Sequence, residues 1–463
     1  MLFGYRIVIL ATDAFLWAIV IMGALYAVHA ARTPHVRRRW ARLSQRKTAL
    51  FCAGVLSVFF AIACADSLHF RRPLPTPNAQ VVHEAVAVSV LDALVAARIA
   101  PRERSYSAPF AMREFDKTSV LKDDGYVREF ARLACVKGDL ADADHAKVLA
   151  QDGALAFASG AGLALGFLVV ASAVIGIRTR RMQPIRISEH PFLMAWAAAF
   201  FIAGALAVLW PSWHVMGTDS TGNDVLYTAL KSIRTAFAIG LVSIACMLPF
   251  AVVLGLVAGY FKGWVDEAIQ YLYTTISSIP SVLLIAACVL MVEVFIDKNA
   301  HLYETGLERA DLRLLMLAVI VGVTGWSNLA RLLRAETMRI SEMEFIEAAR
   351  HFRLSSAAIL LRHVLPNVTH IVVIVASLSF SSMVLYEAVL SYVGVGVDPA
   401  MASFGSMINS ATGEMVKTPA VWWNLAGAFT FMAGLVLCAN LFAMAVREAF
   451  DPTAEAAREA DRA

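Results

Sequence analysis

Apolar residues gather in long stretches along most of the chain, and charged residues fall mainly between those stretches. Most of the stretches contain roughly 18 to 25 residues, the length that an α-helix needs to cross about 30 Å of hydrocarbon at 1.5 Å per residue. Nine can be marked: residues 7–30, 48–65, 155–177, 191–210, 235–259, 270–296, 312–333, 367–390 and 422–446. The pattern therefore predicts an all-α polytopic membrane protein.

The composition supports this prediction, because 59% of the residues are hydrophobic and only 16% are charged, with a mean hydropathy of +0.65. A soluble domain has about a quarter charged residues. The first apolar stretch contains Asp13 and Trp17 and ends in a basic cluster, which differs from the pattern of a cleaved signal peptide. The net charge of +4 is small, and no nucleic-acid partner is expected.

Lysine and arginine are distributed unevenly between the loops. Residues 31–47 hold seven of them, 178–189 hold four and 334–365 hold five, whereas 211–233 and 391–421 hold one each. Because short cytoplasmic loops are enriched in these residues, the three rich loops are predicted to be cytoplasmic. With nine spans, the N-terminus then lies outside and the C-terminus inside a bacterial cytoplasmic membrane.

The one long segment between spans, residues 66–154, is predicted to lie on the outer side. Its Pro-rich start at 73–77 predicts an extended linker. A packed or interface-lying helix is predicted over 81–100, and one or two amphipathic helices over 124–151. We therefore expect a small, mainly helical outer domain, in which a disulfide between Cys64 and Cys135 is an open possibility.

Enzyme signatures are missing from the sequence. It contains no G-x-x-x-x-G-K-[ST] loop for nucleotide phosphates, no H-E-x-x-H and no G-x-S-x-G. Its cysteines and histidines do not follow the spacing of a zinc motif, so no metal site is predicted. Isolated loop histidines such as His214 and His363 are expected to be structural. The chain is predicted to be non-catalytic.

Four stretches in register carry a resemblance to a known family. They are G-T-D-S-T-G-N-D-V at 217–225, A-G-Y-F-K-G-W-V-D at 258–266, E-A-A at 347–349 followed by H-V-L-P-N at 363–367, and L-S-Y-V-G-V-G-V at 390–397. Residues 191–452 resemble the permease subunits of bacterial ATP-binding-cassette importers, of the dipeptide, oligopeptide and nickel class. The resemblance implies a six-span type I importer core.

The resemblance divides the chain and implies its partners. Residues 1–65 would hold two added transmembrane helices with a basic cytoplasmic loop, 66–154 the outer domain, 155–190 a third added helix and loop, 191–452 the core, and 453–463 a cytoplasmic tail. The implied partners are a second, homologous permease, two ATPase subunits and an external solute-binding protein. ATP and magnesium would be held by the ATPase subunits, and this chain would bind no cofactor.

Residues 345–367 are identified by the resemblance as the cytoplasmic coupling loop, whose short helix docks on an ATPase subunit. Its implied contact residues are Phe345, Glu347, Ala348, Ala349, Arg350, Phe352, Arg353 and Leu354, with Pro366 beginning the next span. On the outer side, the implied motif residues are Gly217, Thr218, Asp219, Gly222 and Asp224. The alternative to an ATP-driven importer is a self-contained secondary transporter or channel.

Two positions depart from the family's pattern, and one carboxylate lies within an apolar stretch. Arg353 stands where the family usually has glycine, so either the helix continues through it or the turn shifts to Ser355–Ser356. Asn223 stands where the family has arginine, which removes an expected charge contact. Glu387, near the outer end of its span, is a candidate for the transport pathway, although an end-of-span carboxylate can simply reach water.

Overall fold

The computed structural model describes residues 6–74, 83–84, 86–99, 102–122, 125–136, 144–179, 190–303, 305–399 and 401–450. The predicted C-terminal tail 453–463, most of the basic loop 178–189 and part of the Pro-rich segment 73–77 lie outside these residues. The predictions for those three segments therefore have no structural counterpart below.

Helices make up most of the described chain. They are α1 (Ala11–Arg32), α2 (Pro34–Leu43), α3 (Lys47–Asp66), α4 (Val90–Ile99), α5 (His145–Thr179), α6 (Pro191–Leu209), α7 (Val225–Phe261), α8 (Gly263–Ser278), α9 (Ser281–Lys298), α10 (Gly306–Gly325), α11 (Ser327–Ser341), α12 (Glu344–His351), α13 (Ser356–Ile359), α14 (Leu365–Tyr392), α15 (Phe404–Met415) and α16 (Trp423–Phe450). Short strands are confined to the start of the chain and the outer segment.

Within the described residues, eight helices are long and apolar enough to cross a membrane, and the pair α8–α9 adds a ninth if it is one span. That pair bends by 87° at Ile279–Pro280. Proline has no N–H to continue the backbone ladder and disfavours helical angles in the residue before it. The stretch predicted as a continuous span over 270–296 is thus broken.

The outer segment contains β-structure that the sequence patterns did not predict. Strands β2 (His69–Arg71) and β3 (Val88–Ser89) form a three-stranded antiparallel sheet with β1 (Arg6–Val8). Strands β4 (Arg113–Lys122) and β5 (Gly125–Arg132) form a hairpin. The one or two helices predicted over 124–151 were wrong for residues 125–132, which form β5, whereas α5 begins at His145. Within the stretch predicted as a helix over 81–100, the described residues contain β3 followed by α4.

The chain divides into two compact units. In the first unit, α3 and α5 both pack on α6, and glycines allow close approach. A Cβ on Gly54 would lie 2.7 Å from the Ala195 side chain, and one on Gly204 would lie 2.8 Å from the backbone of Gly160. Small residues that let backbones meet are typical of helix packing in membranes. Two of the added helices therefore pack on the first core span.

The second unit contains the first added helix together with α9 to α14. Helix α1 packs on α10, where the Thr12 backbone N–H donates to Asp311 Oδ2 at 2.9 Å and the Thr12 hydroxyl donates to Asp311 Oδ1. Both residues are about 99% buried. A buried carboxylate costs free energy unless it is hydrogen-bonded, so Thr12 stabilises the Asp311 side chain within the helix pair.

Candidate functional site

The predicted coupling loop contains one short amphipathic helix, α12. Ile346 and Ala349 face the protein and are buried, whereas Glu347, Ala348 and Arg350 are exposed. The apolar side chains at its two ends are also in solvent: Phe345 is 43% exposed, Phe352 82% and Leu354 41%. The predicted contact residues of the loop are therefore exposed to solvent, with the exception of Ala349, which packs inward.

Arg353 takes the left-handed backbone conformation that the sequence argument considered too costly. Its φ is +54°, and α12 ends two residues earlier. The Arg353 N–H donates to Arg350 O at 2.9 Å and the Leu354 N–H to Ala349 O at 3.3 Å. These are the two hydrogen bonds of a Schellman motif. The turn therefore lies at the family's position, and the expectations of a longer helix or a shifted turn were wrong.

Arg353→Gly is expected to stabilise the protein by about 1 kcal/mol, because glycine adopts positive φ without the Cβ clash that an L-residue suffers. Thermal unfolding in detergent measures the effect. Arg362→Gly is the matched control, since Arg362 lies in a helical turn where glycine should destabilise by a similar amount. A lower unfolding temperature for Arg353→Gly would show that the side chain offsets the strain.

Pro366 does not begin the span that follows the loop. The helix starts at Ser356, whose preceding residue Ser355 accepts a hydrogen bond from the Ala358 N–H at 3.3 Å. It then passes through a π-helical turn at Leu360–Val364 and continues to Tyr392 as one 37-residue helix. π-Turns relax the backbone pattern that an internal proline disrupts. The predicted abrupt start at Pro366 was wrong, because the part of the loop from Ser356 onwards is continuous with the span.

Charged side chains hold the elements around the coupling loop. Arg334 donates to both carboxylate oxygens of Asp266, at 2.5 and 2.6 Å. Lys262 Nζ lies 2.9 Å from Glu342 Oε1, and the Arg350 guanidinium lies 5.0 Å from the Tyr260 ring centroid. Two-pronged arginine–carboxylate pairs add geometric specificity.

Those contacts fix the start of α8 against α11, and the end of α7 against α12. The A-G-Y-F-K-G-W-V-D and E-A-A stretches of the sequence are thereby brought together in one unit of the structure.

The predicted outer motif forms a closed turn between α6 and α7. Asp219 Oδ1 accepts from the Thr221 N–H and hydroxyl, both at 2.8 Å, and from the Asn223 N–H at 2.9 Å. The Asn223 amide donates to Asp219 Oδ2 at 3.3 Å. Asn223 thus closes the turn through hydrogen bonds where the family's arginine would bring a charge. Gly217 and Gly222 supply the two positive φ angles, +69° and +77°.

The motif also binds the outer segment to the start of α16. The Thr218 hydroxyl accepts from the Ser107 N–H at 2.6 Å and donates to Ser105 O at 2.9 Å. The Trp423 indole N–H donates to Thr218 O at 2.8 Å. Thr218 is completely buried, so each of its polar atoms needs such a partner. This residue joins three segments that are far apart in the sequence.

Behind the motif lies a buried polar cluster that sequence reasoning did not find. His214 Nδ1 lies 2.8 Å from Asp224 Oδ2, which also accepts from the Trp210 indole at 3.2 Å. His214 Nε2 lies 3.4 Å from Glu103 Oε1. Burial disfavours the imidazolium, but the hydrogen bonds to Asp224, Cys135 and Glu103 outweigh burial and raise the pKa of His214 to about 11.

Glu387 is buried in α14 and hydrogen-bonded within its own unit. The Ser391 hydroxyl donates to Glu387 Oε1 at 2.8 Å and accepts from the Val397 N–H at 3.1 Å. These bonds connect the end of α14 to the L-S-Y-V-G-V-G-V stretch that follows it. A role of Glu387 in the pathway stays a prediction. The six cysteines, Cys64 and Cys135 included, are free thiols.

Comparison with known proteins defines the class of this polytopic helical protein. A sequence model of the family described as binding-protein-dependent transport system inner membrane component matches residues 251–455. The glutathione transport system permease protein GsiD of Pectobacterium atrosepticum is 30% identical over 241 residues, which are 52% of this chain and 72% of that protein. The chain belongs to this family of transport permeases.

Other relatives match a similar share of the chain. The oligopeptide transport system permease protein OppC of Mycobacterium bovis is 29% identical over 249 residues, 54% of this chain and 79% of that protein. OppC of Escherichia coli is 29% identical over 241 residues, 52% of this chain and 73% of that protein. One match is a chain in a solved structure of the MetNI methionine ABC transporter in inward-facing conformations. The two chains are 17% identical, and the match covers 49% of this chain and 92% of the MetNI chain. Its TM-score of 0.32 is too low to compare the folds.

Proposed function

We propose that this chain is the permease subunit of an ATP-driven importer that takes up oligopeptides or a related small solute from an external solute-binding protein. The relatives named for oligopeptide and glutathione transport support the substrate class. The chain would form the translocation path together with a second permease, and two ATPase subunits would hold ATP and magnesium.

The exposed apolar side chains at the two ends of α12 support coupling to an ATPase most directly. Phe345, Phe352 and Leu354 leave an apolar patch in solvent, and the exposed Glu347 lies beside it. Large exposed apolar side chains grouped within one short loop are typical of a docking surface. Aromatic anchors rimmed by charge carry much of the binding free energy at such contacts. A loop that merely joined two spans would have no use for them.

Topology supports the proposed orientation. Strand β1 immediately precedes α1, β2 immediately follows α3, and the two strands pair from Arg6↔Arg71 to Val8↔His69. The residues just before α1 and just after α3 are therefore paired within the first unit, as expected for two spans joined by one loop. The basic residues of α2, between those spans, favour the cytoplasm for that loop.

Two variants in the full transporter test the docking role. Phe352→Ala removes an aromatic anchor, and Glu347→Arg reverses the charge beside it. Each is expected to reduce retention of the ATPase subunits on the purified permease by at least about fivefold, because losing one anchor costs more than about 1 kcal/mol of binding. Tyr126→Ala is the matched control, since Tyr126 is a 78% exposed aromatic on the outer hairpin.

The assay measures ATPase subunits per permease after affinity purification, together with substrate-stimulated ATP hydrolysis. Wild-type retention in both loop variants would contradict the docking role. Substrate flux driven by an ion gradient, without ATPase subunits, would favour the alternative of a secondary transporter or channel.

A further inference from the structure

We propose that Glu103, Cys135 and His214 form a binding site for a divalent transition metal, with zinc as the ion that fits best. The three residues are more than 90% buried. One ligand atom from each, a carboxylate oxygen, a thiol sulfur and an imidazole nitrogen, can be chosen so that all lie within 4.8 Å of one another. Thiolate, imidazole and carboxylate are the three protein ligands that zinc takes in its tetrahedral sites.

The separation between the imidazole and the carboxylate fits ligation better than a direct hydrogen bond. His214 Nε2 and Glu103 Oε1 are 3.4 Å apart, whereas a charge-assisted hydrogen bond is about 2.7–2.9 Å long. Two ligands at about 2.0–2.1 Å from a tetrahedral zinc ion lie about 3.3 Å from each other. The distance between His214 Nε2 and Glu103 Oε1 is therefore already the distance expected between two ligands of one zinc ion.

The contacts behind the ligands are those that orient a metal site. His214 Nδ1 faces Asp224 Oδ2 at 2.8 Å, so its other nitrogen, Nε2, is directed at the cluster. This is the carboxylate–histidine–metal arrangement that fixes the ring of a ligand. Glu103 accepts from the N–H groups of Ala134 at 3.1 Å and Cys135 at 3.2 Å, which anchors its carboxylate while leaving lone pairs for an ion.

The ligand types permit the ion. An imidazole and a thiol both act as ligands in their deprotonated forms, and Glu103 offers a carboxylate oxygen in the same cluster. The metal-free alternative is a salt bridge from His214 to the two carboxylates, with the Cys135 thiol hydrogen-bonded to the imidazole.

The position of the site in the fold indicates a structural role. Cys135 follows β5 at the end of the outer hairpin, Glu103 lies in the segment bound to Thr218, and His214 precedes the outer motif. One ion would therefore cross-link three points of the outer segment and the loop before α7. Three protein ligands leave one tetrahedral position for water.

Elemental analysis of the full-length protein, purified from zinc-supplemented cells, tests the site. We expect about one zinc ion per chain in the wild type, and less than about a fifth of that in Cys135→Ser and Glu103→Gln, which keep the size of each side chain. Cys64→Ser is the matched control, because Cys64 is a half-buried free thiol elsewhere in the same unit. Its zinc content should equal that of the wild type.

Cobalt binding provides a second measurement. Its absorption band would not depend on Cys135 if this side chain only packed in the protein interior. Co²⁺ added to the metal-stripped wild type should give a thiolate-to-cobalt absorption band that Cys135→Ser lacks and Cys64→Ser retains. A folded wild-type chain with neither stoichiometric zinc nor this band would overturn the proposal and leave a metal-free salt bridge. Equal zinc in wild type and folded Cys135→Ser would also overturn it. If a variant fails to fold, the wild-type zinc content and cobalt band still decide.

Discussion

Gly222→Ala is expected to lower the free energy of unfolding by more than about 3 kcal/mol, because it combines two costs that each destabilise a protein. The backbone of Gly222 has a φ of +77°, which strains any residue with a Cβ. The added methyl would also overlap the backbone carbonyl of Glu103, whose carbon would lie only 2.5 Å away. Because the nearest atoms are backbone atoms of Glu103, no side chain can rotate to relieve the overlap.

Two other glycines separate the strain from the overlap. Gly394 has a φ of +84° but open space around its Cβ position, so Gly394→Ala should cost only about 1–2 kcal/mol. Gly413 lies inside α15 with open space, and Gly413→Ala should stabilise slightly through helix propensity. Thermal unfolding in detergent gives the ranking. Equal losses for Gly222→Ala and Gly394→Ala would show that the outer segment moves away without resistance.

Lys231→Met is expected to destabilise the protein by about 2–3 kcal/mol, since it removes the cation from a largely buried cluster of carboxylates. Lys231 Nζ lies 2.9 Å from Asp92 Oδ1 and 3.9 Å from Asp66 Oδ1. Asp92 also accepts from the Tyr227 hydroxyl at 2.7 Å, and Asp66 from the Ser89 hydroxyl at 2.7 Å. These contacts bind the outer ends of α3 and α4 to the start of α7.

A charge-matched variant distinguishes electrostatics from lost packing. Lys231→Met combined with Asp92→Asn should recover at least half of the loss, because fewer carboxylates are then left without a cation. Lys147→Met, at a side chain that is 80% exposed, should change stability by less than about 0.5 kcal/mol. No recovery in the double variant would mean that the aliphatic stem of Lys231, and not its charge, stabilises the contact.

The same cluster gives a pH dependence of stability. Burial raises the pKa of Asp92, but Lys231 and the hydrogen bonds from Tyr227 and Ser89 outweigh burial and hold the pKa below its ordinary value. A depressed carboxyl pKa stabilises the folded state above the unfolded value of about 3.9 and loses this effect as the pH falls through the folded pKa. Wild type should therefore lose more stability between pH 6 and about pH 3 than Lys231→Met.

Hydrophobic periodicity predicted the membrane helices well because their signal is long and uniform, but it misjudged the outer segment. Strand β5 contains Tyr126, Val127 and Phe130, residue types that favour strands. The sequence Asp124-Gly125 is a strong hairpin signal. The helical reading weighted apolar spacing over this turn. In a short segment, the apolar spacing of a helix or of a strand can each arise by chance, and the turn residues then decide between the two predictions.

The coupling loop shows what a comparison of residue types can miss. Arg353 stands where the family usually has glycine, and it keeps a positive φ of +54°, which glycine would adopt without strain. The surrounding hydrogen bonds thus determine the backbone, and the side chain adapts to it at a cost. Sequence reasoning located the loop but treated the local propensity of Arg353 as decisive.

The cluster of Glu103, Cys135 and His214 could not have been found from spacing. Cys135 lies 32 residues from Glu103, and His214 lies 111 residues from it, so no short motif contains two of them. Only the fold of the outer segment against the loop before α7 brings them together.

The lengths of three helices determine how far the protein extends from the bilayer. Val225–Phe261 and Ser356–Tyr392 have 37 residues each, and Gly306–Ser341 has 36. At 1.5 Å per residue each helix is about 55 Å long, whereas the hydrocarbon is about 30 Å thick. A typical tilt of about 20° uses only about 2 Å of the excess. About 20 Å of each helix therefore extends beyond the hydrocarbon, through the headgroup layers and into water. For Ser356–Tyr392, a projecting start would hold the apolar patch beside α12 outside the hydrocarbon, where a water-soluble protein can reach it.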